Sequence, residues 1–140
     1  MGFLEANGPL YGKWENERLH LGFRVEMRHC NPGQVCHGGM LATFADMFMP
    51  IAARFQSKTD MGFLPTVNLN IDFLAPAPLG AWVESSADAV KITRNLLFAH
   101  GTATADGEPV LRANGIFKIT SRDSTKSGDF SVRDLFDFKK

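Results

Sequence analysis

The feature that most constrains the fold is a run of sixteen residues, 40–55, in which apolar side chains dominate. Its only polar side chains are Thr43, Asp46 and Arg54. The run is too long for one strand and too short to span a membrane, and its alanine, leucine and methionine residues favour a helix. The sequence therefore predicts a long central helix that is apolar nearly all round, which is typical of a buried helix. Its main core-facing residues are predicted to be Leu41, Phe44, Ala45, Phe48, Ala52 and Phe55.

Asp46 lies in the middle of this helix, where a buried carboxylate costs several kcal/mol unless it is paired or protonated. Desolvation makes such a group a stronger base, as general-base catalysis near neutral pH requires. A structural hydrogen bond, or an ion pair with Arg28 or Arg54, is the other interpretation that the sequence leaves open. Pro50 lacks the amide that would bond to the Asp46 carbonyl, so a kink is expected just after the acid.

Alternation of apolar and polar residues predicts strands on both sides of the helix. Leu19–Arg28 alternates before it, with Leu19 through Met27 pointing inward at every second position. Four strands are predicted after it, over 66–75, 81–93, 96–105 and 110–120, with Val67, Leu69, Ile71 and Phe73 inward in the first of them. Asp106-Gly107 is a predicted hairpin turn. This order predicts an α+β fold in which an antiparallel sheet of five to six strands wraps around the central helix.

The two ends of the chain carry weaker signals. Residues 1–18 are predicted to be a short helix or an irregular lead-in. Residues 121–129 have no apolar side chain and indicate a polar linker, after which Ser131 could cap a short helix through Asp134. The 140 residues are therefore interpreted as one domain with a core over about 15–120 and a linker and possible helix over 121–140.

Composition excludes some classes of partner. The formal net charge is zero, so general electrostatic attraction to nucleic acid is not implied. Neither a secretory signal nor a transmembrane run is visible, and Cys30 and Cys36 do not make a disulfide framework. We therefore expect a cytoplasmic protein with no nucleic-acid or membrane partner.

Just before the helix, His37-Gly38-Gly39 indicates a site for a developing negative charge. A helix N-terminus has free N–H donors and a partial positive charge, and glycine lets a substrate oxygen approach the backbone closely. Such donors stabilise the oxyanion of acyl transfer. The alternative is that the glycines only permit a tight turn. Two roles stay open for His37, a hydrogen bond in a pocket or the start of the helix.

The spacing between Gly38 and Asp46 predicts how such a site would be assembled. The two residues are eight positions apart, which is about 12 Å along a helix. Reacting atoms must approach to about 3–3.5 Å, so one helix cannot bring both groups to one carbonyl carbon. Two antiparallel helices related by a twofold axis can do so, which predicts two equivalent sites at a dimer interface.

The spacing of Asn31, His37-Gly38-Gly39 and Asp46, with Pro76-Ala77 after the next strand, resembles the motif of the hotdog-fold acyl-CoA thioesterases. The resemblance is to the phenylacetate-pathway (PaaI-like) branch of the 4-hydroxybenzoyl-CoA thioesterase superfamily, and it covers roughly residues 15–120. It implies a hotdog fold and hydrolysis of an acyl- or aryl-acyl-CoA. It also implies a homodimer, or a homotetramer built as a dimer of dimers, with no cofactor apart from the coenzyme A of the substrate.

The same resemblance implies roles for five residues. Asp46 would be the catalytic carboxylate, acting as a general base or as a nucleophile. The backbone N–H of Gly38 would polarise the thioester carbonyl. Asn31 and His37 would shape the pocket, and Thr66 would help to position the attacking water.

A rim that binds the phosphates of coenzyme A should be basic. Lys91, Arg94 and Asn95, between the third and fourth predicted strands, are candidates for this contact, although a solvated surface turn explains them equally well. No metal site is predicted, because Cys30 and Cys36 are farther apart in sequence than zinc ligands usually are.

Two other functions are compatible with the same residues. One is a hotdog hydratase or dehydratase, which needs a histidine and an acid at the α and β carbons of its substrate. His37 lies at the glycine end of the helix, which fits that chemistry poorly. The other is a non-catalytic protein that binds or senses acyl-CoA, and such a protein gains nothing from burying the charge of Asp46.

Overall fold

The computed structural model describes residues 2–120, which form one six-stranded antiparallel sheet around a long helix. The elements are α1 (Phe3–Asn7), β1 (Tyr11–Glu15), β2 (Arg18–Arg24), a 3-10 turn (Met27–His29), α2 (Gly38–Ser57), β3 (Thr66–Phe73), β4 (Trp82–Ile92), β5 (Leu96–Ala105) and β6 (Glu108–Lys118). The strand order across the sheet is β1-β2-β4-β5-β6-β3. This arrangement confirms the predicted α+β fold. The predicted polar linker and C-terminal helix lie outside the described residues.

The helix α2 packs one face against the sheet, as its apolar spacing predicts. Leu41, Phe44, Ala45, Phe48 and Ala52 are buried, whereas Phe55 is only half-buried. Pro50 is buried inside the helix, which continues through it to Ser57. The opposite face is not covered by the sheet, and Thr43, Asp46 and Met47 are half-buried there. The prediction that the helix is buried all round is therefore wrong for a single chain. No helix in the described part of the chain is long and apolar enough to cross a membrane.

The structure corrects the predictions for the N-terminal third of the chain. Residues 11–15 form β1, which pairs with β2 at the edge of the sheet, whereas only a helix or lead-in was predicted there. The strand β2 ends at Arg24 rather than Arg28, and Met27 is 58% exposed. The chain turns there because Glu26 and His29 cap each other, with each side chain accepting the backbone N–H of the other residue.

The strand β3 also differs from its prediction. Among residues 2–120 it is an edge strand that pairs only with β6, and its register shifts between Thr66 and Asn68. Leu69 and Ile71 pack partly against the core, as predicted. Val67 and Phe73 were also predicted to face inward, but they are 60% and 55% exposed. Within the described part of the chain, the outer edge of β3 therefore offers unpaired backbone groups together with apolar side chains.

Candidate active site

The start of α2 leaves one backbone donor unused. The His37 N–H donates to the His29 carbonyl at 2.7 Å, and the Met40 N–H donates to the His37 carbonyl at 2.9 Å. The Gly39 N–H donates to Nδ1 of His37, the N-cap residue, at 3.0 Å. Three of the first four amides of the helix are thus satisfied. The fourth, the N–H of Gly38, has no acceptor among residues 2–120. This amide is therefore available to an external oxygen, and the helix dipole favours negative charge there.

The two glycines have different structural reasons to lack a side chain. A Cβ added at Gly39 would lie 3.2 Å from Nδ1 of His37 and would disturb the helix cap. A Cβ added at Gly38 would lie 3.6 Å from the Phe73 ring, which is ordinary van der Waals contact. Gly39 thus serves the turn, whereas Gly38 is not required by packing. Its missing side chain leaves room for a substrate atom to approach between the Phe73 ring and the free amide.

The loop before the helix is held by its own hydrogen bonds. Oδ1 of Asn31 accepts the N–H groups of Gly33 and Val35 at 2.9 and 3.4 Å. The Cys36 N–H donates to the Ala77 carbonyl at 2.7 Å, so the Pro76-Ala77 segment fixes the end of this loop. Asn31 therefore fixes the backbone of the loop that leads to Gly38. Its predicted role in shaping a substrate pocket stays a prediction.

The carboxylate of Asp46 has a different partner from the arginines that the sequence suggested. The Thr66 hydroxyl, at the start of β3, donates to Oδ1 of Asp46 at 2.5 Å. Arg54 instead pairs with Asp60 at 3.4 Å, and Arg28 pairs with Glu26 at 3.3 Å. The suggested ion pair with Arg28 or Arg54 is therefore wrong. The structure brings Asp46 together with Thr66, which the resemblance alone had linked to the site.

The two groups of site residues lie near opposite ends of β3. Asp46 contacts Thr66, the first residue of the strand, and Gly38 lies beside Phe73, the last. These ends are about 23 Å apart for seven residue steps of an extended strand. One chain thus carries two candidate half-sites, the free amide of Gly38 and the carboxylate of Asp46. It does not bring the two half-sites together.

The turn with the predicted phosphate contacts lies at the same end of the sheet as Thr66 and Asp46. Lys91, Arg94 and Asn95 are exposed at or beside the turn between β4 and β5. The Asn95 carbonyl accepts the Ile119 N–H at 2.8 Å, and the Lys118 N–H donates to the Pro65 carbonyl at 2.8 Å. These bonds place the turn near the segment that leads into Thr66.

A surface cavity of about 270 Å³ lies beside the start of α2. Its lining comes from α1, from the 3-10 turn and from α2: Phe3, Asn7, Arg28, His29, Cys30, His37, Gly39, Met40 and Thr43. The sequence did not predict that α1 closes one side of it, because the first eighteen residues carry no clear periodicity. His29, 3% exposed, anchors this wall through a 2.7 Å bond between Nε2 and the Asn7 carbonyl.

Within the described residues, no group of three or more His, Cys, Asp or Glu side chains is arranged to hold a metal ion.

Comparison with known proteins adds independent information. Residues 33–111 match the family model of the Thioesterase superfamily, which is more than half of the chain. A predicted esterase of Pseudomonas aeruginosa is 30% identical over 117 residues, covering 83% of this chain and 87% of that protein. Acyl-coenzyme A thioesterase 13 of Mus musculus is 30% identical over 83 residues, covering 59% and 58% of the two chains.

A solved structure shows the same fold. It is a mutant of the phenylacetic acid degradation protein PaaI from Thermus thermophilus, and it matches with a TM-score of 0.72 at 22% identity. The match covers 86% of this chain and 100% of that chain.

Proposed function

The chain belongs to the thioesterase superfamily and has its hotdog fold, and from this premise we propose that it hydrolyses acyl-CoA thioesters to a free acid and coenzyme A. The observation that carries the proposal is the free N–H of Gly38, at the start of a helix whose middle holds a carboxylate. The similarity to the Mus musculus thioesterase supports acyl-CoA as the substrate class. The similarity to PaaI supports the phenylacetate-pathway branch.

In the proposed reaction, Asp46 acts as a general base. Its Oδ1 accepts the Thr66 hydroxyl, which leaves Oδ2 to take a proton from water as the water oxygen attacks the thioester carbonyl carbon. The carbonyl oxygen becomes an oxyanion and accepts the N–H of Gly38. The C–S bond then breaks, coenzyme A leaves as a thiolate, and the proton held by Asp46 passes to it. The products are a carboxylic acid and a thiol, and the carboxylate is regenerated.

The edge of β3 supports a site shared between two copies of the chain. Antiparallel pairing of two β3 edges would set the Phe73 end of one strand beside the Thr66 end of the other. Gly38 of one chain would then approach Asp46 of its partner, and twofold symmetry would repeat the arrangement. The exposed side chains of Val67 and Phe73 would be covered in the process. We propose a homodimer of this kind as the active unit, and a dimer of dimers would keep both sites.

A mixed dimer tests the shared site directly. One chain carries Asp46→Asn and the other carries Gly38→Pro, which removes the N–H, and each bears a different affinity tag. In the proposed arrangement both defects fall in one site and the second site is intact. The doubly purified mixed dimer should therefore show about half of the wild-type activity, although each variant alone is nearly inactive. If both groups act within one chain, no site is intact and no activity returns.

The contact between Thr66 and Asp46 predicts how substitutions at Thr66 change kcat. Thr66→Val keeps the shape of the side chain but removes the hydroxyl donor, so the carboxylate loses its partner and its fixed orientation. We expect kcat to fall about tenfold, the effect of losing one hydrogen bond of about 1.5 kcal/mol to a charged group. Thr66→Ser keeps the donor and should retain most of the activity. A loss of activity in Thr66→Ser with full activity in Thr66→Val would show that the methyl group, rather than the hydroxyl, matters.

A thiol-release assay over a panel of acyl-CoAs tests the reaction itself. Release above background, with a preference among acyl groups, is the expected result. Binding of acyl-CoA without thiol release would instead identify a binding protein, and hydration of an enoyl-CoA would identify a hydratase.

We also propose that the phosphates of coenzyme A contact Lys91, Arg94 and Asn95. This exposed basic turn lies at the same end of the sheet as the Asp46 carboxylate. No further cofactor takes part in the proposed reaction. We propose that the protein acts in the cytoplasm.

A further inference from the structure

The two cysteines face each other across the loop that precedes α2. Cys30 and Cys36 form an isolated antiparallel bridge. The flanking bonds run from the His37 N–H to the His29 carbonyl and from the Asn31 N–H to the Val35 carbonyl, at 2.7 and 3.0 Å. This pattern defines a non-hydrogen-bonded pair, in which the Cα atoms are about 4.5 Å apart and the side chains are close. Disulfides span Cα distances of about 4.4–6.8 Å, so the spacing typical of such a pair lies within the range that a bridge requires.

The surroundings of the two thiols set the order in which they would react. Both cysteines are free. Cys30 is half-buried and lines the cavity of about 270 Å³ beside α2, where a small reagent can reach it. Cys36 is 5% exposed, and burial, followed by the charge of Cys30, raises the pKa of its thiol to about 12. Cys30 is therefore the thiol that reacts first with a dissolved oxidant, and Cys36 can only follow from inside the protein.

We propose that Cys30 and Cys36 form a reversible disulfide by exchange with a low-molecular-weight disulfide, and that this modification lowers the thioesterase activity, a consequence that rests on the proposed function. In the first step the Cys30 sulfur attacks the small disulfide, its S–S bond breaks, and one thiol leaves. In the second step the Cys36 sulfur attacks the mixed disulfide at Cys30 and releases the second thiol. The two cysteines lose two electrons and two protons, and the small disulfide gains them.

The location of the bridge explains its effect on catalysis. A disulfide would close the loop of Asn31 to Val35, directly before the His37 cap. In the reduced protein the Cys36 thiol donates weakly to the His37 carbonyl at 3.8 Å, and that carbonyl also accepts the Met40 N–H. Oxidation removes the thiol donor and turns the Cys36 side chain toward Cys30. A displacement of about 1 Å in a catalytic group can cost about a hundredfold in rate, so we expect a fall of about tenfold for a smaller shift of the Gly38 amide.

The physical chemistry of such a bridge favours a switch over a permanent crosslink. Cys30 lines the surface cavity, so a bridge there would stay within reach of a dissolved thiol, and exposed disulfides are the more easily reduced ones. In a reducing compartment the pair would therefore stay as thiols and would close only under oxidising conditions.

The experiment equilibrates the purified protein with reduced and oxidised glutathione in varied ratios, then measures intact mass and thiol release on the same samples. The expected oxidised product has lost two hydrogens and carries no glutathione. Its activity should be about tenfold lower and should return after treatment with dithiothreitol. Cys30→Ser should keep its activity at every ratio. Cys36→Ala should accumulate glutathione on Cys30, because the second thiol is absent.

The two proposals can fail separately. A wild-type protein that retains glutathione on Cys30, or that shows no change in mass, would overturn the disulfide. A confirmed disulfide with unchanged activity would overturn its effect on catalysis. Absence of thiol release from the fully reduced protein would overturn the proposed function, while the mass measurement would still decide whether the bridge forms.

Discussion

Replacing Asp46 with asparagine is expected to lower kcat/KM by about three orders of magnitude without unfolding the protein. Asparagine has the shape of aspartate and still offers an oxygen to the Thr66 hydroxyl, but it cannot accept a proton at neutral pH. Asp46 is half-buried on the outer face of α2, so the substitution leaves the core untouched. The measurement is thiol release under kcat/KM conditions, with chemical denaturation to establish that stability is preserved.

A matched control is available in the same region. Asp60→Asn removes a carboxylate that pairs with Arg54 beyond the end of α2, and it should leave kcat/KM within about twofold of wild type. An Asp46→Asn variant that keeps a tenth or more of the activity would exclude Asp46 as the base. Single-turnover hydrolysis in oxygen-18 water separates base from nucleophile, because only a nucleophilic Asp46 would carry the label in its carboxylate.

Gly38→Pro is expected to lower kcat by about a hundredfold to a thousandfold, the cost of losing one oxyanion donor. The substitution is compatible with the fold for three reasons. Gly38 is the first residue of α2, a position where proline is favoured. His37 has φ −59° and ψ 136°, the extended conformation that a following proline requires. The amide that is lost has no acceptor among the described residues, so no hydrogen bond within them is broken.

Gly38→Ala distinguishes loss of the donor from added bulk. Alanine keeps the N–H, and its Cβ would meet the Phe73 ring at an ordinary 3.6 Å. We therefore expect a much smaller loss of kcat than in the proline variant, with the helical circular dichroism of both unchanged. If the two variants lose activity equally, the space beside Gly38 matters and its amide does not.

The sequence predicted α2 and its two candidate half-sites because both follow from residues that are close together in the chain. An apolar run of this length is too long for a strand and too short to span a membrane, so it indicates a helix. The distance from Gly38 to Asp46 then follows from helix geometry alone. β1 was missed because four of its five residues are exposed, so the alternation that marks a half-buried strand is absent. The exposure of Phe73 was missed for a related reason. Its ring does face Gly38 of α2, but apolar periodicity does not reveal whether a strand lies at the centre of a sheet or at its edge.

The contact between Asp46 and Thr66 could not have been predicted from the pattern of neighbouring residues. The two residues are twenty positions apart, and only the path of the chain from α2 into β3 brings them within 2.5 Å. The resemblance pointed to Thr66 as a residue that positions water, whereas the structure shows its hydroxyl bonded to the carboxylate. The exposure of Asp46 likewise depends on what covers the outer face of α2, which no property of the single chain determines.

The eight residues of β3 act as a spacer between the two half-sites, since one end of the strand touches Asp46 and the other lies beside Gly38. In a paired edge, inserting or deleting one residue in β3 would turn the following side chains to the opposite face of the sheet and shift the partner strand as well. A single change would then misalign both of the proposed catalytic centres. The loop of residues 58–65 is anchored by the buried Met61 and by the Pro65 carbonyl, but it has no alternation of faces to preserve. Changes in chain length during divergence should therefore be tolerated better there than in β3.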